Sequence, residues 1–115
     1  MEDRFAQQLK KGVLEMLVLK FICDKPSYGY ELLSKLERES QGLFALKEGT
    51  LYPILYRLED EGLIESAWSQ GEGRATPKKM YAPTEKGREE QLRRQEVWRR
   101  FADTVGTMTK GGEQE

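Results

Sequence analysis

The stretch from Leu46 to Gly62, LKEGTLYPILYRLEDEG, constrains the fold more than any other part of the chain. At about 100° per residue, apolar residues spaced i, i+3, i+4 and i+7 form one stripe on a helix. The stripe consists of Leu51, Ile54, Leu55 and Leu58. Because proline lacks a backbone donor and suits a first helical turn, Pro53 predicts a helix start near residues 47–49. Gly62 predicts the helix end, since glycine is favoured just past the last turn.

The opposite face of this helix differs from an ordinary solvated Lys/Glu surface. It carries Gly49, Thr50, Tyr52, Pro53, Tyr56 and Arg57. Arginine can bind a guanine edge or a phosphate, tyrosine hydroxyls reach phosphates, and glycine permits close backbone approach. The face therefore predicts a helix that enters the major groove of double-stranded DNA. The alternative is that the tyrosines cover a neighbouring element and that Arg57 pairs with one of three nearby acids, Glu59, Asp60 or Glu61.

Length and composition predict one soluble unit with a modest core. The chain has 115 residues, of which 37% are hydrophobic and 34% charged. A partner subunit would add buried area to so small a core. No apolar run approaches the roughly 18 residues that span a bilayer, and the N-terminus lacks the order of a signal peptide. We expect no membrane association and a cytoplasmic location.

The side chains most used in catalysis and metal binding are scarce. The sequence has no histidine and a single cysteine, Cys23, within an apolar run. Histidine is the commonest general base and a frequent zinc ligand, so its absence argues against an enzyme, a metal site or a cofactor. We expect Cys23 to be buried as a small hydrophobic residue.

Charge is distributed unevenly along the chain. The formal net charge is −1, which counts against a nucleic-acid-binding protein judged by total charge. Residues 73–88 nevertheless carry a net charge of +4, and residues 31–72 carry −5. Such asymmetry lets a basic edge meet DNA while the rest of the surface repels non-specific contact.

The order of the first elements is that of a helix-turn-helix. Residues Arg4–Asp24 predict a helix so apolar that it is buried on several sides, either within one subunit or partly against another. Ser27 is a suitable N-cap for a second helix that runs to about Gln41 and closes at Gly42. The helix with the unusual outer face follows.

After Gly62 the pattern becomes strand-like. Residues 63–69 and 78–82 predict two short strands joined by the turn-rich loop QGEGRATP, so the two helices are followed by a β-hairpin, as in a winged helix. Arg74 lies at the predicted tip, and Lys78 and Lys79 follow on the returning strand. These cations suit phosphates or the minor groove; the alternative is a solvated hairpin.

The last segment predicts a dimerisation helix. Thr84 offers an N-cap for a helix that ends near residues 109–110. One apolar stripe follows its length: Leu92, Trp98, Phe101, Ala102, Val105 and Met108. We expect this stripe to pack in a two-fold dimer. The predicted class is α+β, mostly α: a winged helix-turn-helix domain over 1–83, a dimerisation helix over 84–110 and a disordered tail over 111–115.

Several of these segments together resemble a PadR-family transcriptional regulator of the short type. The resemblance rests on SYGYELLSKL at 27–36, EGTLYPILYRLEDEGLIES at 48–66, Trp68, and KKMYAPTEKG at 78–87. The second is the most specific, because TLYPxLxRLExxGLI joins recognition helix and wing strand in that family. The resemblance implies a homodimeric repressor that leaves its DNA operator when a small molecule binds.

The resemblance also implies residue roles. Tyr52, Pro53, Tyr56 and Arg57 would face the major groove, and the basic residues of the wing, Arg74, Lys78 and Lys79, would contact DNA. The segment GEGRATPKK departs from the family's compact basic tip, with Thr76 and Pro77 where Arg or Lys is expected. A winged helix that only binds proteins, with Tyr52 and Tyr56 as anchors, is the competing interpretation.

A tryptophan in the last helix suggests an effector site. In members that resemble multidrug regulators, such a tryptophan meets its dimer mate across a pore in which planar aromatic ligands stack. Trp98 stands at the matching place, and Leu14, Val18 and Phe101 are the expected walls. The alternative is that Trp98 only fills the dimer interface.

Overall fold

The computed structural model describes residues 4–69 and 76–111. Within them the elements are, in chain order, α1 (Arg4–Asp24), β1 (Ser27–Tyr28), α2 (Gly29–Glu39), α3 (Glu48–Asp60), β2 (Ile64–Trp68), β3 (Lys79–Pro83) and α4 (Glu85–Lys110). The predicted α+β, mostly helical, winged-helix class is confirmed. None of the described helices combines the length and apolar content that crossing a bilayer requires.

The core lies where α1, α2, α3 and the hairpin meet. Its buried residues are Leu14, Val18, Leu19 and Ile22 of α1, Leu32 and Leu36 of α2, the predicted stripe Leu51, Ile54, Leu55 and Leu58 of α3, and Leu63, Ile64 and Tyr81 of the hairpin region. Cys23 is half-buried against this core, and burial raises the pKa of its thiol. One layer of helices thus covers one face of a small sheet.

The start of α2 differs from the prediction. Ser27 was expected to be its N-cap, but Ser27 and Tyr28 form the short strand β1, paired with Tyr81 and Met80. The Ser27 hydroxyl donates to the carbonyl of Lys25 at 2.8 Å and therefore does not cap the helix. Tyr28 is the N-cap, and its N–H donates to a carboxylate oxygen of Glu31 at 2.9 Å.

The bounds of α3 agree with the prediction, although the place of Pro53 does not. Lys47 is the N-cap, and Gly62 follows the helix with a φ of +76°. The Leu63 N–H then donates to the Leu58 carbonyl at 2.9 Å, which closes the last turn. Pro53 is the sixth helical residue rather than a first-turn residue. Its missing donor leaves the carbonyl of the exposed Gly49 to water.

The sheet has strand order β1-β3-β2, with both pairs antiparallel. The predicted hairpin is therefore present, with Ile64 opposite Pro83 and Trp68 opposite Lys79. Strand β1, which the sequence did not predict, adds a third strand of two residues beside β3 and joins the start of α2 to the wing. The predicted wing-tip residue Arg74 lies outside the described residues.

The beginning of α4 is fastened to the end of α3. Thr84 caps α4 by accepting from the Gly87 N–H at 3.0 Å, as predicted. The Thr84 N–H donates to the Leu63 carbonyl at 3.1 Å, its hydroxyl donates to the Gly62 carbonyl at 2.6 Å, and Lys86 Nζ donates to the Glu61 carbonyl at 2.8 Å. From this junction α4 passes along α1. Of the predicted tail, only Gly111 lies within the described residues.

Candidate nucleic-acid interface and apolar cavity

Four of the five predicted recognition residues of α3 lie on its exposed surface: Thr50, Pro53, Tyr56 and Arg57. Tyr52 does not. Its ring is half-buried against the core, and its hydroxyl occupies the space that a Cβ atom on Gly29 would need. On the helix Tyr52 is only about 100° from the buried Leu51, so it flanks the core and packs α3 against the start of α2.

Arg57 points toward α1. Its Nε donates to Oε1 of Glu15 at 2.6 Å, with 56% of the Arg57 side chain and 27% of the Glu15 side chain exposed. An acidic partner for Arg57 was the predicted alternative, and Arg57 does have an acidic partner. The partner, however, is a distant carboxylate on another helix and none of Glu59, Asp60 and Glu61.

A groove of about 380 Å³ separates α3 from the start of α2 and from the hairpin. Aromatic side chains dominate its lining: Tyr28, Tyr30, Tyr52, Tyr56, Trp68 and Tyr81. Tyr81 lies beneath the groove. Burial, and to a smaller extent the nearby Tyr52, Tyr56 and Glu59, together raise its pKa to about 12. Tyr81 thus remains a neutral floor for the groove.

Two lysines are held at this groove by aromatic rings. The ammonium group of Lys78 lies 4.7 Å from the ring centroid of Tyr30, which stacks on Tyr28 at 5.7 Å. Lys79 lies 5.9 Å from the ring of its cross-strand partner Trp68. Neither ammonium group has a carboxylate within salt-bridge distance among the described residues, so both are available to an external anion.

Four aromatic residues of this groove were not predicted as site residues: Tyr28, Tyr30, Trp68 and Tyr81. Tyr30 is 53% exposed, and Trp68, quoted only for the resemblance, is 68% exposed. Strand alternation did not reveal the exposure of Trp68, because it places that ring on the same face of β2 as the buried Ile64. Nothing local distinguished Tyr30, because its exposure depends on where β3 returns.

A second cavity, of about 550 Å³, lies between α1 and α4. Its apolar walls are Leu9, Val13, Met16, Val97, Trp98 and Phe101. Trp98 and Phe101 were predicted to line a ligand pore between two subunits, and here they line a cavity within one subunit. Leu14 and Val18 were predicted as walls too, and that placement is wrong: both are buried in the core, with 7% and 0% exposure. The turn of α1 directs them inward and presents Val13 and Met16 to the cavity instead.

Three charged residues also line this cavity: Glu15, Arg93 and Arg94. Both arginines donate to Glu90, at 2.8 Å and 2.6 Å, and these hydrogen bonds lower the pKa of Glu90 to about 2. Arg94 also lies 3.6 Å from Glu61. The arginines are therefore neutralised on their own helix and at its junction, whereas Glu15 is held by Arg57 from α3.

The chain matches known proteins over most of its length. The model of the transcriptional regulator PadR-like family matches residues 18–93. The transcriptional regulator Rv3488 of Mycobacterium tuberculosis is 30% identical over 82 residues, 71% of this chain and 72% of that protein. The transcriptional regulator YqjI of Escherichia coli is 33% identical over 76 residues, 66% of this chain but 34% of that protein. Three of the curated relatives it matches are spanned for about half of their length or less.

The fold has relatives of known structure as well. The crystal structure of a PadR family transcriptional regulator from Eggerthella lenta matches with a TM-score of 0.82 and 32% identity, covering 92% of this chain and 89% of that one. A PadR-like transcriptional regulator from Bacillus cereus matches with a TM-score of 0.77 and 34% identity. The family model and these relatives agree with the motifs, and the chain belongs to the PadR-like family of transcriptional regulators.

Proposed function

We propose that the chain is a homodimeric repressor that binds operator DNA through α3 and the hairpin and leaves it when a small molecule occupies the α1/α4 cavity. The observation that carries the DNA-binding part is the groove beside α3, where two lysines that have no carboxylate partner among the described residues lie over aromatic rings. Phosphate contacts supply most of the affinity of a DNA-binding domain and fix its register. Lys78 and Lys79 are suited to this role on one side of α3.

The exposed face of α3 supplies the groups for base recognition. Thr50, Tyr56 and Arg57 offer two hydroxyls and a guanidinium on a helix narrow enough for the major groove. The two lysines stand beside that helix at the base of the wing. We therefore place DNA across α3 and the hairpin, with residues 1–83 making the contacts.

The dimer follows from the unpaired apolar face of α4. Five large apolar side chains on one face of this helix are exposed in a single subunit: Val97, Trp98, Phe101, Val105 and Met108. Leu92 is exposed as well but lies on the opposite face. Contiguous exposed apolar surface of this kind marks an interaction site. A second copy, related by a two-fold axis, would cover it with the same stripe and space two α3 helices about one DNA turn apart. Residues 84–110 would then be the dimerisation helix.

The effector site is the cavity between α1 and α4. Trp98 and Phe101 line it beside aliphatic side chains of α1. Flat aromatic molecules stack on such rings and gain by leaving water. A ligand releases DNA only if it binds better to the dimer geometry that fits the operator poorly, and DNA weakens ligand binding by the same factor.

The DNA-binding proposal is tested by fluorescence anisotropy with DNA from upstream of the protein's own gene. We compare the wild type with the double variant K78A/K79A and with R99A/K110A, which removes two positive charges from α4 instead. Each lost phosphate contact is expected to reduce the slope of log K against log salt by about 0.9. Only K78A/K79A should do so. A chain with no salt-sensitive DNA affinity would instead be a protein-contact module.

The effector proposal is tested by tryptophan fluorescence. Flat aromatic compounds are titrated into the wild type and into Trp98→Ala, in which Trp68 serves as the internal control. We expect quenching in the wild type, little in the variant, and loss of DNA binding at the same ligand concentrations. Quenching that persists in Trp98→Ala would place the ligand elsewhere.

A further inference from the structure

Glu15 belongs to two sites at once. It lines the cavity between α1 and α4, and its carboxylate accepts from Arg57 Nε of α3 at 2.6 Å. Arg57 is also one of the exposed residues proposed above to meet DNA. Glu15 is thus the residue that connects the cavity to the recognition helix.

The contact uses only part of the Arg57 guanidinium. Arginine has five N–H donors in a rigid fork, and within the described residues only Nε has a partner. The two terminal amino groups, which form the prongs of the fork, make no hydrogen bond there. Glu15 therefore holds the guanidinium at Nε and leaves its two terminal amino groups available to bind a phosphate or a guanine.

Glu15 also sets the charge preference of the cavity. It is the one carboxylate among the described lining residues, while Arg93 and Arg94 are bound to Glu90. A positive group placed among apolar walls needs a negative partner. A cation in this cavity that pairs with Glu15 competes with Arg57 for the same carboxylate.

We propose that Glu15 positions Arg57 for DNA and selects flat aromatic cations as effectors, which displace the Arg57 guanidinium from the carboxylate. Once displaced, Arg57 is a flexible side chain whose ordering on DNA costs side-chain entropy, so DNA affinity falls. This inference rests on the proposed function, because it assigns the chemistry and the regulation of the proposed effector cavity.

The first test needs no effector. Operator affinity is measured for Glu15→Ala, Arg57→Ala and the double variant, with Glu37→Ala as a control that removes an equal charge from α2. Removing a negative charge generally favours DNA binding, so Glu37→Ala should bind as tightly as the wild type or slightly tighter. Glu15→Ala should bind about five-fold more weakly and Arg57→Ala about ten-fold more weakly.

The double variant separates positioning from a general effect on stability. If Glu15 acts through Arg57, Glu15→Ala costs nothing further once Arg57 is alanine, so the two effects are not additive. A Glu15→Ala variant that binds DNA as well as the Glu37→Ala control would overturn the positioning role. Additive losses in the double variant would do the same.

The second test measures charge selection by isothermal titration calorimetry. The probes are 2-naphthylmethylammonium and its neutral counterpart 2-naphthylmethanol, which share one ring system. The wild type should prefer the cation by about five-fold, the scale of a partly exposed ion pair. Glu15→Gln should lose this preference yet keep most of its DNA affinity, because the amide oxygen can still accept from Arg57 Nε.

The outcomes distinguish this inference from the proposed function. If the probes bind the wild type without a charge preference, or if Glu15→Gln retains one, the selecting role of Glu15 is wrong and the effector cavity stands. If neither probe binds because the second subunit fills the cavity, both the effector proposal and the selecting role are wrong.

Discussion

The substitution Gly87→Ala probes the junction between α3 and α4. A Cβ atom on Gly87 would overlap the carbonyl oxygen of Leu63 and lie 2.8 Å from its carbonyl carbon. The latter separation is about 0.7 Å inside the optimum of about 3.5 Å between carbon atoms. Because the obstacle is backbone rather than a mobile side chain, α4 must move away, and the Thr84 cap is strained with it.

The expected cost can be estimated from its parts. Overpacking against backbone costs about 1–3 kcal/mol, and a weakened N-cap about 1 kcal/mol. Alanine recovers roughly 0.5–1 kcal/mol over glycine inside a helix. The net loss is about 1–3.5 kcal/mol, which lowers Tm by roughly 4–14 °C for a domain of this size.

Gly106→Ala is the matched control, because it makes the same change in the same helix. Within residues 4–69 and 76–111 no atom lies within 4 Å of a Cβ atom at Gly106, so only the helix propensity changes and Tm should rise by roughly 2–4 °C. Both variants are melted by circular dichroism at one protein concentration, since a dimer's Tm depends on concentration. Equal Tm shifts in the two variants would refute the packing argument.

Three further outcomes are expected. Gly29→Ala should destabilise the protein by about 1–3 kcal/mol through its overlap with the Tyr52 hydroxyl, and the added change Tyr52→Phe should restore part of the loss in urea unfolding. Glu90, whose pKa is lowered to about 2, should stabilise the protein at neutral pH and lose that effect as the pH falls from about 4.5 to 2, so the stability difference between wild type and Glu90→Gln should shrink over that range. In a tyrosinate absorbance titration, one tyrosine should ionise near pH 12 and be missing in Tyr81→Phe. A tyrosine titration complete by pH 11 would contradict the last of these.

Local signals in the sequence predicted most of the fold. The bounds of α1, the Thr84 cap and the stop at Gly62 all follow from residues within one or two turns of the position they define. Strand β1 escaped prediction because its two residues are held by a strand more than 50 positions later in the chain. Two residues are too few for a period-2 pattern.

The candidate site was less predictable, because its decisive contacts join distant segments. The pair between Arg57 and Glu15 spans 42 positions, and three closer carboxylates competed for the same guanidinium. Which side of α1 faces the core can be predicted from its sequence only where polar residues interrupt the apolar ones. Around Leu14 and Val18 the helix is apolar on most sides, so the sequence could not distinguish core from cavity wall.

The hydrogen bonds between Thr84 and the end of α3 have a mechanical consequence. They fix the start of α4 beside the last turn of the recognition helix, so that α4 acts as a rigid arm that rotates about this point. With 26 residues at about 1.5 Å each, its arm is about 39 Å long, so a rotation of about 5° at the pivot moves the far end by about 3 Å. The same geometry applies in the other direction. A small sideways displacement of α4 near Trp98 or beyond would rotate its start, and with it the end of α3.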